Sequence, residues 1–558
     1  MTLGRTPFLL LAALAAAAAA PSYAEDGADL VLQHGVFYPV QPPGRVEGSL
    51  AVRGGRIVYL GPDAGAERFR GPHTRVVDLA GRTVTPGLID AHSHLRDLGR
   101  NLAEVDLTGA PTYDEVVRRV REAAARAPQG AWVFGNGWDQ NRWPGKQFPS
   151  HEPLSAAVPD HPVWLNRVDG HAALVNARAM EILGIDASTK DPAGGRFLRD
   201  ASGRPSGVLV DNAMHIADRL PGPSREENER WLRDGARQCL AVGLTTATDM
   251  GVDGDLIAAY QALRQTGELP LRAAVFVADN QPLLDEWFRR GPEIDPEARL
   301  TIRGVKMYAD GALGSRGAAL LEPYSDDPGN IGLLLTPGAH MEDVARRAVA
   351  AGFQVAIHAI GDRGALVALD AMEKALGGPR PEARFRLEHT QIVRVQDLER
   401  MARLGVIASM QPTHATSDMP WAGDRLGEGR LERAYAWRKV LNFGGRLALG
   451  SDFPVESPDP RLGIYAAVTR QDLAGNPPGG WLPGERLTRE EALRGFTLDA
   501  AWSLFLEKEV GSLEVGKRAD LVVFARDIMT VPEAEIPRVE VDMTVVDGKV
   551  VHERGRTP

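Results

Sequence analysis

Between Pro86 and Glu509 the chain repeats one phrase, a short apolar run followed by a longer stretch of helical periodicity. The runs are GLIDAHSH, LTTATDMG, LRAAVFVAD, IRGVKMYADG, QVAIHAIGD, RFRLEHTQ, VIASMQPTH and LALGSDFP. Stretches such as MEDVARRAVAAG and RGALVALDAMEKALG separate many of them. Alternating strand and helix patterns predict βα units in a parallel sheet, and eight strands close such a sheet into a distorted TIM (β/α)8 barrel, an α/β fold.

The flanks read differently. From Leu30 to Val76, LVLQHGVFYPV, SLAVRGGRIVYLG and TRVVDLAGRTV alternate apolar and polar residues between Gly and Pro turns. The pattern returns near the far end in ADLVVFARD, VEVDMTVVDG and KVVHE. Residues 25–85 and 510–558 are therefore expected to build one small β-sandwich from both chain ends, around a barrel spanning 86–509. One stretch, 99–223, breaks the barrel rhythm and is rich in Trp, Gly, Asn and Pro. It is too long for a structureless loop in a compact domain, so an inserted subdomain is expected after the first barrel strand, over the active face.

The start of the chain reads as an export signal, residues 1–24. Arg5 gives a weak positive end, Phe8 to Ala20 is apolar, and Ser22-Tyr23-Ala24 supplies small residues for cleavage. That run is shorter than the roughly 20 residues a bilayer span needs, which disfavours an uncleaved anchor. No second apolar span follows, so a periplasmic protein without stable membrane insertion is expected. Composition adds exclusions: 44% hydrophobic and 25% charged residues are ordinary for a globular protein, and a net charge of −10 leaves no basic footprint for nucleic acid. Cys239 is the only cysteine, which rules out an intramolecular disulfide and a thiolate-rich metal site.

Candidate chemistry sits where the apolar runs stop. His92 and His94 close the first, Lys306 lies in the fourth, His358 and His389 end the next two, and Asp452 follows the last. Residues two apart on a strand point to the same side, so His92 and His94 form a pair. A bare HxH is a weak signal. Six such groups at the carboxyl ends of different strands are what a metal site in a parallel barrel needs, and they point to a metallohydrolase.

With TPGLIDAHSH, VKMYADGALGSR, IHAIGDR, LEHTQ, QPTHATSD, LGSDFPVE and GSLEVGKRADLVVF in this order, the chain resembles the amidohydrolase superfamily, nearest to the N-substituted formamide deformylase-like enzymes. The resemblance covers essentially the whole chain after the signal. It implies that His92, His94 and Asp452 bind one metal, that His358 and His389 complete a second site, and that Lys306 bridges the two as a carboxylated lysine. Zinc is the expected ion, with manganese, iron or cobalt as alternatives. It also implies a metal-activated water, with Asp452 as the catalytic proton carrier to the leaving nitrogen of a small amide, N-formyl amine or cyclic amide. From the residues alone, Lys306 in a one-metal site and Asp452 as a helix cap stay open.

Softer candidates for substrate contact are His171, Trp138 with Asp139, Asp310, Arg316, and His414 with Asp418. Trp138 reads equally as subdomain core and His171 as a structural histidine. Two rival functions fit the same pattern: an ester or lactone hydrolase on the same ligands, and a periplasmic binding protein that keeps the pocket without catalysis. A small-molecule substrate is the expected partner, and homodimerisation is left open.

Overall fold

The computed structural model describes residues 27–556 apart from 141–142, 168–171, 193–194 and 220–221. The expected signal peptide, 1–24, and His171 lie outside the described residues. Eight parallel strands form the central sheet: β1 (Leu88–Ser93), β2 (Leu244–Val252), β3 (Arg272–Ala278), β4 (Leu300–Tyr308), β5 (Gln354–Ala359), β6 (Arg386–His389), β7 (Ile407–Met410) and β8 (Leu447–Leu449). Each pairs with the next, from β1 round to β8. These are the eight runs expected from the sequence. They read as apolar runs rather than as alternation because both faces are covered; every residue of β1 is buried.

Among the described residues no ladder joins β8 to β1. The seam is closed by single bonds instead. The Asp452 amide donates to the His92 carbonyl and the His94 amide to the Phe453 carbonyl, each at 2.8 Å. The buried Asp90 carboxylate accepts from the Ser451 hydroxyl at 2.6 Å and from the Ser451 amide at 3.1 Å. Lower in the barrel the Ile89 amide reaches the Phe496 carbonyl at 2.7 Å. Gly450 lets the chains meet: a β-carbon there would lie 2.5 Å from an Asp90 oxygen and 2.7 Å from the His92 nitrogen.

Strands from both chain ends share one eight-stranded sheet, in which Thr83–Pro86 runs antiparallel to Leu521–Phe524. Leu30, Leu32, Phe37 and Leu50 bury a common core with Leu521, Val523, Met543 and Val545. Between β1 and β2 a separate six-stranded sheet runs from Val105 to Asp211, with its own core around Val116, Val120, Trp138, Leu165 and Leu174. The helix Leu95–Ala103 passes through Gly99, the expected start of the insertion, and packs on the helix Arg225–Ala241. A β-carbon on Gly99 would fall 1.8 Å from the Trp231 carbonyl oxygen. That helix therefore belongs to the barrel, and the inserted sheet begins at Val105. No helix of the described residues is long and apolar enough to cross a membrane.

The two-ended sheet is tied to the barrel by charge as well as by packing. Arg272, at the foot of β3 and fully buried, donates to both oxygens of Asp520 at 2.7 and 2.9 Å and also pairs with Asp547. Removing one partner of a buried pair strands the other charge, which costs about 3–5 kcal/mol. Asp520→Ala is therefore expected to lower the unfolding free energy from urea titration by an amount in that range, seen as a fall in the midpoint. An unchanged midpoint would show that Asp547 alone satisfies Arg272.

Candidate metal centre

All six expected ligands stand at the carboxyl end of the barrel. The ligand atoms of His92, His389 and Asp452 lie within 4.8 Å of one another, and all three residues are buried. Around them, His94 Nε2 is 3.2 Å from Asp452 Oδ1, and Lys306 Nζ is 3.2 Å from His92 Nε2. The His358 ring centroid is 4.5 Å from that of His389. Backbone geometry aims two of these groups. Asp452 sits at φ +61°, and His389 and Thr390 at +69° and +47°, so β6 and the chain after β8 both turn sharply at the mouth.

The surroundings strip protons from three of the imidazoles. Burial, reinforced by the Lys306 cation, holds His92 down to about 4 and His358 to about 3. Burial and its histidine neighbours push His389 well below the usual range. Burial also brings Lys306 down to about 8. For Asp452 burial opposes ionisation, yet His92, His94 and His389 overcome it and keep the carboxyl well below its ordinary value. His94 goes the other way, because burial is outweighed by the hydrogen bond and charge of Asp452, which raise it. At neutral pH His92, His358 and His389 thus offer lone-pair nitrogens beside a carboxylate, which is a donor set a divalent transition metal takes. His358 Nε2 is buried with no hydrogen-bond partner, as a nitrogen reserved for a metal would be.

Two partners fix the rings from behind. His92 Nδ1 contacts Glu388 Oε2 at 2.6 Å, and Arg386 holds Glu388 at 2.7 and 3.0 Å while reaching Ser409 at 2.8 Å. His389 Nδ1 contacts Gln411 Oε1 at 2.9 Å. With Nδ1–H donated, each ring presents the Nε2 lone pair to the site. Sequence reasoning missed Arg386, Glu388 and Gln411. The available signal was a pair of like-facing charges, Arg386 and Glu388, inside an otherwise apolar strand.

The softer candidates divide. His414 is 7% exposed and faces the centre, its Nε2 3.8 Å from Asp452 Oδ2. Asp418 lies behind it, bonded to the Tyr435 hydroxyl at 2.5 Å. Trp138 is fully buried in the inserted subdomain, with its indole N–H on the Leu165 carbonyl, so it is core and not pocket wall. Asp139 pairs with Arg167 in the same subdomain. Asp310 is also fully buried; its oxygens accept the amides of Ala319, Ile360 and Gly361 at 2.8 to 3.0 Å. Burial raises it to about 7 against the pull of those amides. It anchors the loop after β4 rather than meeting substrate. Arg316 is held in that loop by Asp326 at 2.9 Å.

A parallel barrel with this cluster at its mouth defines a metal-dependent hydrolase. An uncharacterised metal-dependent hydrolase from Pyrococcus furiosus superposes with a TM-score of 0.77 at 30% identity, over 90% of this chain and all of that one. The chain belongs to the amidohydrolase family, whose model matches residues 75–552. Among relatives, the protein LONG AFTER FAR-RED 3 of Arabidopsis thaliana is 35% identical over 89% of this chain and 87% of its own. The N-substituted formamide deformylase of Arthrobacter pascens is 30% identical over 91% and 95%.

Partners that orient a metal-bound histidine are worth roughly 10- to 100-fold in metal affinity. Glu388→Gln is expected to weaken metal binding by that factor in competition with a chromogenic chelator. Undiminished affinity would show that Arg386 and Ser409, not Glu388, set the His92 ring.

Proposed function

We propose that the protein hydrolyses a non-peptide C–N bond in a small molecule: an amide, an N-formyl amine or a cyclic amide. The observation that carries the reading is the cluster of His92, His389 and Asp452 within 4.8 Å at the barrel mouth. The similarity to an N-substituted formamide deformylase supports the choice of bond. In this reading His92, His94 and Asp452 hold one ion, and His358 and His389 the other. Lys306, if carboxylated, would offer carboxylate-like oxygens to the ions, and its lowered basicity favours the neutral amine that carboxylation needs. Zinc suits the nitrogen-rich set. Export to the periplasm, supported by the pattern of residues 1–24, completes the reading.

Bound metal supplies Lewis acidity and an activated water. The chain's residues do the rest. Asp452 Oδ1 faces His92 and His94, at 3.5 and 3.2 Å, while Oδ2 faces His414. Oδ2 is thus the atom placed to take a proton and return it to the leaving nitrogen. His92, Lys306, His389 and Asp452 are buried, which limits bulk water around that transfer.

Metal content by elemental mass spectrometry is expected to be two equivalents per chain; one equivalent would return Lys306 to ordinary lysine chemistry. In a panel of N-substituted formamides, cyclic amides and matched esters, amide turnover should vanish on chelation and return with zinc or manganese. Asp452→Asn should lower kcat by about 10²- to 10⁴-fold. Turnover of the esters alone would replace this reading with the esterase one.

A further inference from the structure

Besides His358 Nε2, a second ring nitrogen at the barrel mouth has no hydrogen-bond partner, and it belongs to His414. His414 lies in the first turn of the helix Pro412–Leu426, with its ring stacked on His389 at 5.9 Å. Its Nδ1 accepts from Gln391 Nε2 at 3.2 Å, which places the ring's own proton on Nε2. That Nε2 is buried without a hydrogen-bond partner. The nearest acceptor, Asp452 Oδ2, stands 3.8 Å away, beyond hydrogen-bond reach. Buried donors are nearly always satisfied, so this one awaits an acceptor that the fold does not contain.

The donor is also locked. The Gln391 carbonyl accepts the Tyr435 amide at 2.6 Å, and the Tyr435 hydroxyl donates to Asp418 at 2.5 Å. Gln391 and Tyr435 are both buried. Pro412 opens the helix and no side chain caps it, so the positive end of its dipole lies beside His414. A fixed N–H beside a helix N-terminus suits an oxygen that becomes negative, not a cation.

We infer that His414 Nε2–H is the hydrogen-bond donor to the scissile carbonyl's oxygen as negative charge develops on it. Gln391 is the positioning residue that sets the ring's tautomer. The inference rests on the hydrolytic reading above and assigns one atom of the chain to the reacting oxygen.

The test uses the zinc-loaded enzyme and methylphosphonate, a tetrahedral oxyanion with no scissile bond, titrated by calorimetry. His414→Phe should weaken binding roughly 10- to 100-fold, the usual worth of a hydrogen bond to a charged acceptor. His414→Gln, which restores an N–H, should recover most of the affinity. Metal content and melting temperature should match wild type in both. Gln391→Leu should weaken binding by a smaller factor. It should also shift the His414 nitrogen signals towards a mixture of tautomers in a long-range 1H–15N correlation spectrum, where the signal is identified by its loss in His414→Gln. Should His414→Phe fail to fold, Gln391→Leu carries both readouts. No binding by wild type, equal binding by the variants, or unchanged nitrogen signals in Gln391→Leu would overturn the assignment. Amide turnover is not read, so an enzyme inert toward amides sinks the function while leaving this result intact.

Discussion

At the seam of the barrel the Asp452 amide donates to the His92 carbonyl and Asp90 grips Ser451. The site depends on this stitch. β8 is three residues long and, among the described residues, lays down no ladder to β1, so these bonds and that of the His94 amide to the Phe453 carbonyl stand where a ladder would fix the first histidine pair against the last aspartate. The φ of +61° at Asp452 costs on the order of 1 kcal/mol. Two backbone bonds and a buried carboxylate offset that strain. Asp90, which precedes His92 by two residues and looks like one more acidic ligand, serves the fold so that Asp452 can serve the chemistry.

Below the stitch, charge alternates through the barrel core: the Arg386 guanidinium, the Glu388 carboxylate, the His92 ring, then the Lys306 amine. An isolated charge at this depth would be prohibitive, and a chain of them is tolerable because each member has a neighbour of opposite character or a hydrogen bond. Burial works in one direction on every basic group here, taking protons from histidine and lysine. The same burial would protonate Asp452, yet three histidines overrule it. A carboxylate beside the deprotonated rings of His92, His358 and His389 is therefore a property of the whole mouth and not of any one residue.

Much of this was legible in the sequence, for identifiable reasons. A strand covered on both faces must be an apolar run, and its end must be polar if it meets a site, so all eight strands announced themselves, and so did the His92, His389 and Asp452 that gather at their ends. Trp138 and Asp310 misled because a residue type does not say which way a side chain points. A tryptophan in a glycine-rich stretch reads as a wall until its indole is seen on the Leu165 carbonyl. An aspartate after a barrel strand reads as a substrate contact until three backbone amides occupy it. Glu388 was hidden by adjacency to His389, and Gln411 and Gln391 by being uncharged. The boundary at 99 fell inside a helix because composition changes there, whereas packing continues to Ala103.

That helix has a consequence of its own. Leu95–Ala103 leads out to the inserted sheet and Arg225–Ala241 leads back, and glycines on both let the backbones touch; a β-carbon on Gly235 would come 2.6 Å from the Leu95 carbonyl oxygen. Departure and return are thus clasped at one point on the barrel wall. A change of length within a segment held by such a clasp is absorbed beyond the two helices, and the registers of β1 and β2 on either side of it need not move. The clasp works as a socket: the barrel keeps its own geometry whatever length of chain is plugged into it.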